Sequence, residues 1–379
     1  MSKVKLGDVV VRIKDSVDRN NTDLLYYIGG EHFDERSLTV TRKGIIKGST
    51  IGPAFSTKFR SGDVLLMSRN PHLRKAGMVN FEGICSDVSY IIRTRDENVI
   101  MQKFIPILFQ SDAFWTFAEK NKKGSTNFFL NWSDFERFEF DLPDHETQEK
   151  LCKTLWAIND TLDSYKEMLK QSDEFVKAKF VEMFGDPILN DKSLPTKQLS
   201  QCITLKGPKE ISPKDNVWNL NLDMVESGTG DIIQKVIVPR DKLGTSVYYF
   251  NNEYILYSKL RPYLNKVVLP DEDGYATTEL VPMKPYDFIN KTFLACLLRS
   301  DSFVNYINKL SFGAKMPRAP MDKIRNFPII LPQLELQSIF EKYVIEINQS
   351  KLILKKCILK LEALYKKIVN QYITKEENE

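Results

Sequence analysis

The chain has 379 residues, of which 42% are hydrophobic and 27% charged, a globular composition with enough material for more than one core. No apolar run is long enough to cross a bilayer, and the opening MSKVKLGDVVVRIKD lacks the apolar stretch of a signal peptide, so a cytoplasmic protein is expected, with no membrane partner. Cys85, Cys152, Cys202, Cys296 and Cys357 lie far apart, without CxxC spacing or paired histidines, which fits reduced thiols and gives no support to a zinc site.

In chain order, residues 1–141 read as a compact mixed α/β domain. Short apolar strands near Val64 to Met67 and Val88 to Ile92 stand between turn clusters, and a helical stretch follows near Ile105 to Glu119. Residues 142–186 read as a long helix that opens after Leu142-Pro143, where proline gives up an amide the first turn leaves unpaired anyway. It stops at Gly185-Asp186-Pro187, a glycine able to take the left-handed cap and a proline that cannot continue the helix. Residues 187–330 form a second mixed α/β domain, with strands near Tyr254 to Tyr257 and Lys266 to Leu269. Its helical stretch, near Phe288 to Leu310, carries Phe293, Leu294, Leu297 and Leu298 at core spacing. A second long helix takes 331–373, and 374–379 is a polar tail.

The two helices are copies, 189 residues apart. At that offset Leu142, Pro143, Glu146 and Gln148 match Leu331, Pro332, Glu335 and Gln337. Steps alternating four and three residues mark a narrow coiled-coil seam. In the first helix it runs through Leu151, Leu155, Ile158, Leu162, Tyr165, Leu169, Ser172, Val176, Lys179 and Met183. In the second it runs through Phe340, Val344, Ile347, Lys351, Leu354, Ile358, Leu361, Tyr365, Ile368 and Tyr372. Only Ser172, Lys179 and Lys351 interrupt the apolar pattern. Two such helices in one chain are expected to pair; the alternative is two amphipathic helices packed on separate cores.

The domains are looser relatives. SGDVLLMSRNPHL from Ser61 corresponds to NNEYILYSKLRPYL from Asn251, with Ser68 set against Ser258 and Arg69 against Lys259. Ser111-Asp112 matches Ser300-Asp301, Gly124 matches Gly313 and Phe138 matches Phe327. Tight helices with diverged domains fit a tandem reader with two different readings, although neutral drift would also produce them.

The formal charge of +4 is small, so its distribution matters more. Residues 1–143 carry 21 Lys+Arg against 18 Asp+Glu and residues 185–332 carry 19 against 16, whereas residues 144–184 carry 6 against 9. The positive excess therefore sits on the domains. Lys122 and Lys123, next to Ser125, Thr126 and Asn127, form a basic loop containing Gly124. Lys315 and Arg318 lie in the equivalent loop around Gly313. Such loops bring amides, hydroxyls and cations to phosphate, and Asn and Arg can read base edges; a solvated surface loop is the plain alternative. Arg69, Arg74 and Lys75, with Lys259, Arg261 and Lys266 opposite, form a second basic pair after a strand. Catalytic patterns are poor. Asn70-Pro71-His72-Leu73 lacks the second proline and stacking aromatic of an amino-methyltransferase motif, Gly228-Thr229-Gly230 lacks the rest of a dinucleotide fingerprint, and His32, His72 and His145 suggest neither triad nor metal site.

The whole arrangement resembles the specificity subunit of type I restriction-modification systems, a resemblance that covers nearly the full chain. Its most specific elements are the Leu-Pro-x-x-Glu-x-Gln helix starts and Phe184-Gly185-Asp186-Pro187. The family's usual second proline is replaced by Asp144 and Gln333. The resemblance implies a mixed α+β fold, with two α/β target-recognition domains in tandem, separated by two long helices forming an antiparallel coiled-coil spacer. It implies a non-catalytic chain in which each domain reads one half of a bipartite double-stranded DNA target. Two modification (methyltransferase) subunits and the restriction (motor and nuclease) subunits would be partners, and S-adenosylmethionine, ATP and Mg would belong to those partners. A stand-alone DNA-binding or anti-restriction mimic, and a coiled-coil scaffold that binds protein alone, remain as alternatives.

Overall fold

The computed structural model describes residues 2–208, 214–313 and 315–373; the polar tail 374–379 and Ala314 lie outside the described residues. The chain divides into two compact units, residues 1–166 with 355–379 and residues 167–354. Each unit holds one α/β domain, the opening turns of one long helix and the closing turns of the other. The long helices are His145–Phe184 and Leu334–Ile373, each 40 residues and therefore about 60 Å of rise.

Both domains have the same internal topology. In unit 1, Ser2–Lys5 pairs antiparallel with Glu139–Leu142. An antiparallel four-stranded sheet follows the order Val10–Ile13, Ser89–Thr94, Val64–Met67, Ala76–Met78. A second four-stranded sheet runs Gly44–Ile45, Tyr26–Ile28, Gly83–Ser86, Phe55–Phe59, with its middle pair parallel. Unit 2 repeats all three: Thr196–Gln198 with Pro328–Ile330; then Ile203–Thr204, Leu280–Pro285, Ile255–Ser258, Val267–Val268; then Val236–Pro239, Asn216–Leu220, Gly274–Thr277, Val247–Phe250, again with a parallel middle pair.

The helical stretch expected as one piece in each domain is two helices. Ile105–Leu108 and Asp112–Lys120 meet at Ser111, and Lys291–Arg299 and Asp301–Leu310 meet at Ser300. The reason is capping: Ser111 Oγ accepts from Phe114 N and Ser300 Oγ from Phe303 N, each supplying an acceptor that a first-turn amide lacks within its helix. Apolar periodicity ran through the break because both helices bury the same side.

The repeated helix starts have a shared physical basis. Gln148 and Gln337 are fully buried. Gln148 Oε1 accepts from Met101 N at 3.0 Å, and its Nε2 donates to the carbonyls of Val99 and Pro143, both at 2.9 Å. Gln337 Oε1 accepts from Asn290 N at 2.7 Å, and Nε2 donates to Pro332 O at 2.7 Å. Each glutamine thus locks the first turn of its helix to a loop of its own domain and to the Leu-Pro carbonyl. Asp144, where the family has proline, caps the helix: its Oδ1 accepts from Thr147 N at 2.8 Å, and that bond holds its carboxyl below the usual range. At the far end Gly185 takes φ 74°, and Asp186 Oδ1 accepts from Ile188 N and Leu189 N while its other oxygen takes the Ser302 hydroxyl.

Within each unit the helices run antiparallel. In unit 1, Lys166 meets Glu362 at 3.9 Å, while Leu162 and Val369 line the same cavity. In unit 2, Asp173 meets Lys351, and Lys179 lies 4.9 Å over the Tyr343 ring. Unit 1 buries Leu151, Leu155, Ile158, Leu162 and Ile358 and half-buries Tyr165, Leu361 and Tyr365; unit 2 buries Phe340 and Val344 and half-buries Leu169, Val176, Ile347 and Leu354. The strict heptad does not hold to the helix ends. Phe180 and Phe184, with Val369 and Ile373, are the buried positions where the repeat would place Lys179, Met183, Ile368 and Tyr372. A straight helix turns every 3.6 residues, so a 3.5-residue stripe drifts, and after three heptads the face has moved to the next residue. Phe180 and Phe184 use the shift to pack on Phe293 and Phe340 at 4.8 to 5.6 Å between ring centroids.

Replacing Gln337 with Ala should lower unfolding free energy by about 1–3 kcal/mol, because it strands a buried amide and a buried carbonyl; chemical denaturation of the full chain measures this. Ile358→Asp should give a larger loss, visible as a broadened, lowered thermal transition, since the carboxylate would sit in the buried seam without a cation.

Candidate nucleic-acid interface

In unit 1 the Lys122-Lys123 loop and Arg69, read in separate clusters of the sequence, lie side by side. Lys123 and Phe129 pair antiparallel, with Lys123 N donating to Phe129 O at 2.7 Å and Phe129 N to Lys123 O at 3.0 Å. The hairpin they close carries Ser125, Thr126 and Asn127 at its exposed tip. Gly124 makes the turn at φ 94°, and a Cβ there would come within 2.6 Å of Asn127 O. The hairpin is bonded to the loop after strand Val64–Met67: Asn70 N donates to Phe128 O at 2.8 Å and Leu130 N to Ser68 O at 2.9 Å. Arg69 therefore lies against Phe129, exposed, beside Lys123. Lys122 is half-buried, with Nζ 4.3 Å over the Phe128 ring.

Unit 2 builds the same device. Phe312 and Arg318 close a hairpin with Gly313 at φ 102°, Arg261 N donates to Pro317 O at 2.7 Å, and Ala319 N donates to Lys259 O at 2.8 Å. Lys315, Arg261 and Arg318 are exposed and Lys259 half-buried; Arg318 reaches Glu279 at 3.1 Å.

These bonds correct the sequence register by one residue. Met67 N donates to Lys75 O as Ser258 N does to Lys266 O, and Ser68 N to Val88 O as Lys259 N does to Glu279 O. Ser68 is thus equivalent to Lys259 and Arg69 to Leu260, not Ser68 to Ser258 and Arg69 to Lys259. Matching serine to serine favoured the slipped alignment, but a one-residue slip reverses every side chain on a strand and the ladders do not allow it. Asn70 and Arg261 then coincide, both left-handed at φ 52° and 49°, before the turns Pro71–Leu73 and Pro262–Leu264. The Asn-Pro-His-Leu sequence is such a turn.

Three of the sequence candidates are tied into the fold. Lys75 Nζ donates to Gly30 O at 2.6 Å and its equivalent Lys266 to Leu222 O at 2.7 Å, each holding a 3-10 turn; burial lowers the Lys266 pKa. Arg74 pairs with Asp112 at 2.7 Å, which also takes Arg36. The sequence reading missed the exposed apolar side chains beside the cations: Phe129 in unit 1, and Phe312, Met316 and Tyr263 in unit 2. Aromatic residues interleaved with Lys and Arg were the available sign, since a ring beside a cation can stack on a base. Among the described residues no His, Cys, Asp and Glu group could hold a metal ion, and burial pushes the Cys85 thiol up to about 12, away from nucleophile chemistry.

The site thus sits on two tandem α/β domains of one topology, each joined to a long helix by a glutamine latch. The crystal structure of the S subunit of a type I restriction-modification system from M. genitalium aligns over 98% of this chain and 96% of that one, with a TM-score of 0.61 at 12% identity, which shows a shared fold. In sequence, the chain is 26% identical over 133 residues to the specificity subunit of the type I restriction enzyme EcoDI of Escherichia coli, a match covering 35% of this chain and 29% of that relative's length. No family model matches the chain.

Replacing Lys122 and Lys123 with Ala should weaken binding of the full chain to duplex DNA and reduce the slope of log K against log salt by about one unit for each phosphate the chain no longer neutralises. Lys75→Ala should instead lower thermal stability, because it frees the Gly30 carbonyl. Fluorescence anisotropy across a salt series, alongside thermal melts, separates the two.

Proposed function

We propose that this protein is the sequence-specific DNA-binding specificity subunit of a type I restriction-modification complex, each domain reading one half of a bipartite target. The observation that carries the reading is the duplicated hairpin, clamped by main-chain bonds onto the loop after one strand in both domains, with cations and aromatic side chains exposed around it. The main-chain bonds that close it are the same in both copies, and the residues after the glycine differ, Ser-Thr-Asn after Gly124 and Ala-Lys-Met after Gly313. That is what two readings from one scaffold require: phosphate contacts position the domain and varied side chains discriminate bases.

The long helices would set the half-site spacing and dock two modification subunits, with restriction subunits joining them. Exposed apolar side chains support docking: Phe175, Val181, Ile345, Leu352 and Ile353 in unit 2, and Leu359 and Leu364 in unit 1. Chemistry would reside in those partners, with S-adenosylmethionine in the modification subunits and ATP and Mg in the restriction subunits, all in the cytoplasm. Among the described residues no helix is long and apolar enough to cross a membrane.

Co-expression with a modification subunit encoded beside this chain, followed by genome-wide mapping of N6-methyladenine, tests the reading. The expected result is a split motif with an adenine modified in each half, and exchanging residues 1–141 for those of a relative should change one half alone. A soluble, assembled complex that adds no methylation would overturn it.

A further inference from the structure

Along the long helices and at the Ser111 and Ser300 caps, positions 189 residues apart are equivalent in the two units, and at one place they have diverged in chemistry. Unit 2 buries the Lys351 ammonium in the helix seam, 2.5 Å from Asp173 Oδ1 and 3.5 Å from Asp231 Oδ2, with the buried Arg299 guanidinium nearby, bonded to Val267 O. In unit 1 Leu162 replaces Lys351, Gln110 replaces Arg299, Glu362 replaces Asp173 and Tyr365 replaces Val176. Both cations are gone and acidic groups remain. Asp34 and Glu35 stand in the loop after the 3-10 turn Gly30–His32.

A cavity of about 600 Å³ opens at this place in unit 1. Two of its lining residues carry a buried oxygen without a hydrogen-bond partner, Gln110 Oε1 and the Tyr365 hydroxyl. Gln110 is 5% exposed, and its amide is already engaged with the carbonyls of Ser37 and Pro106, which leaves only the acceptor. Buried polar atoms of this kind need an explanation. Asp163 is also on the lining, an exposed residue that accepts from Asn159 Nδ2, its carboxyl raised by partial desolvation and by the Asp160 and Asp34 charges. The cations on the lining do not meet this demand: Arg36 pairs with Asp112, Lys166 with Glu362, and Lys366 is exposed. Leu162 and Val369 supply an apolar wall.

We propose that this cavity binds an aliphatic polyamine, whose primary ammonium takes the Gln110 and Tyr365 oxygens at depth, whose methylenes lie on Leu162 and Val369, and whose second ammonium meets Asp163. Unit 2 carries the same alkylammonium chemistry covalently, as Lys351. The site is independent of DNA reading, so its failure leaves the methylation experiment untouched.

The test titrates spermidine into the full chain without DNA, by calorimetry and thermal melting, against sodium chloride of matched ionic strength. Saturable binding with one site per chain, and a melting temperature raised by several degrees beyond the salt control, are expected. Leu162→Lys fills the cavity with a tethered ammonium; it should melt at or above the unsubstituted protein and lose spermidine binding. Tyr365→Phe, which changes one hydroxyl, should keep the melting temperature and weaken binding about tenfold. Binding that never saturates, or that survives Leu162→Lys unchanged, overturns the proposal, as does a Leu162→Lys protein that melts well below the original.

Discussion

The structure depends on one buried amide per repeat. Gln148 and Gln337 each join three things that would otherwise be independent: the first turn of a long helix, the Leu-Pro carbonyl before it and a loop of the domain that precedes it. An amide side chain suits this place because it both donates and accepts, and full burial makes any missing partner costly. A helix of about 60 Å, hinged freely on its domain, would fix nothing at its far end. Bonded at its first turn, it carries the orientation of that domain into the seam. The proline before each start and Asp144 beyond it belong to the same junction, since they settle amides that the first turn cannot.

The seam then acts through drift as well as contact. A heptad stripe would require supercoiling along the full length to keep one face inward. Here the stripe moves by one residue towards the end of each helix, to Phe180 with Phe184 and to Val369 with Ile373, and the two phenylalanines pass from helix pairing to domain packing. The end of the first long helix is thereby part of the core of unit 2, and the compact units divide both helices rather than setting them apart.

How much of this was legible follows from what each signal measures. Helix starts, stops and the 189-residue repeat were readable because capping and period act locally, and local chemistry is written in adjacent residues. The breaks at Ser111 and Ser300 were written too, as Ser-Asp caps, but an uninterrupted apolar face concealed them. Register was not legible. Ser68 and Ser258 match by identity, while ladder bonds between residues far apart in sequence decide the alignment, and one residue type cannot report a long-range bond. Charge was legible only as position: Lys75 and Lys123 look alike in sequence, yet one is bonded to a buried carbonyl and the other stands on a hairpin.

That last distinction bears on how a duplicated scaffold can change the side chains that one copy presents without losing the fold. The lysines that hold the 3-10 turns, Lys75 and Lys266, are the same residue at the same place in both units. The hairpins are closed by main-chain bonds, and their turns need glycine alone, Gly124 and Gly313. Side chains at the tip contribute little to holding its shape, so they can vary at small cost to stability. The shared main-chain bonds and the divergent tips are then two consequences of one division of labour, in which peptide groups supply geometry and side chains are left free to vary.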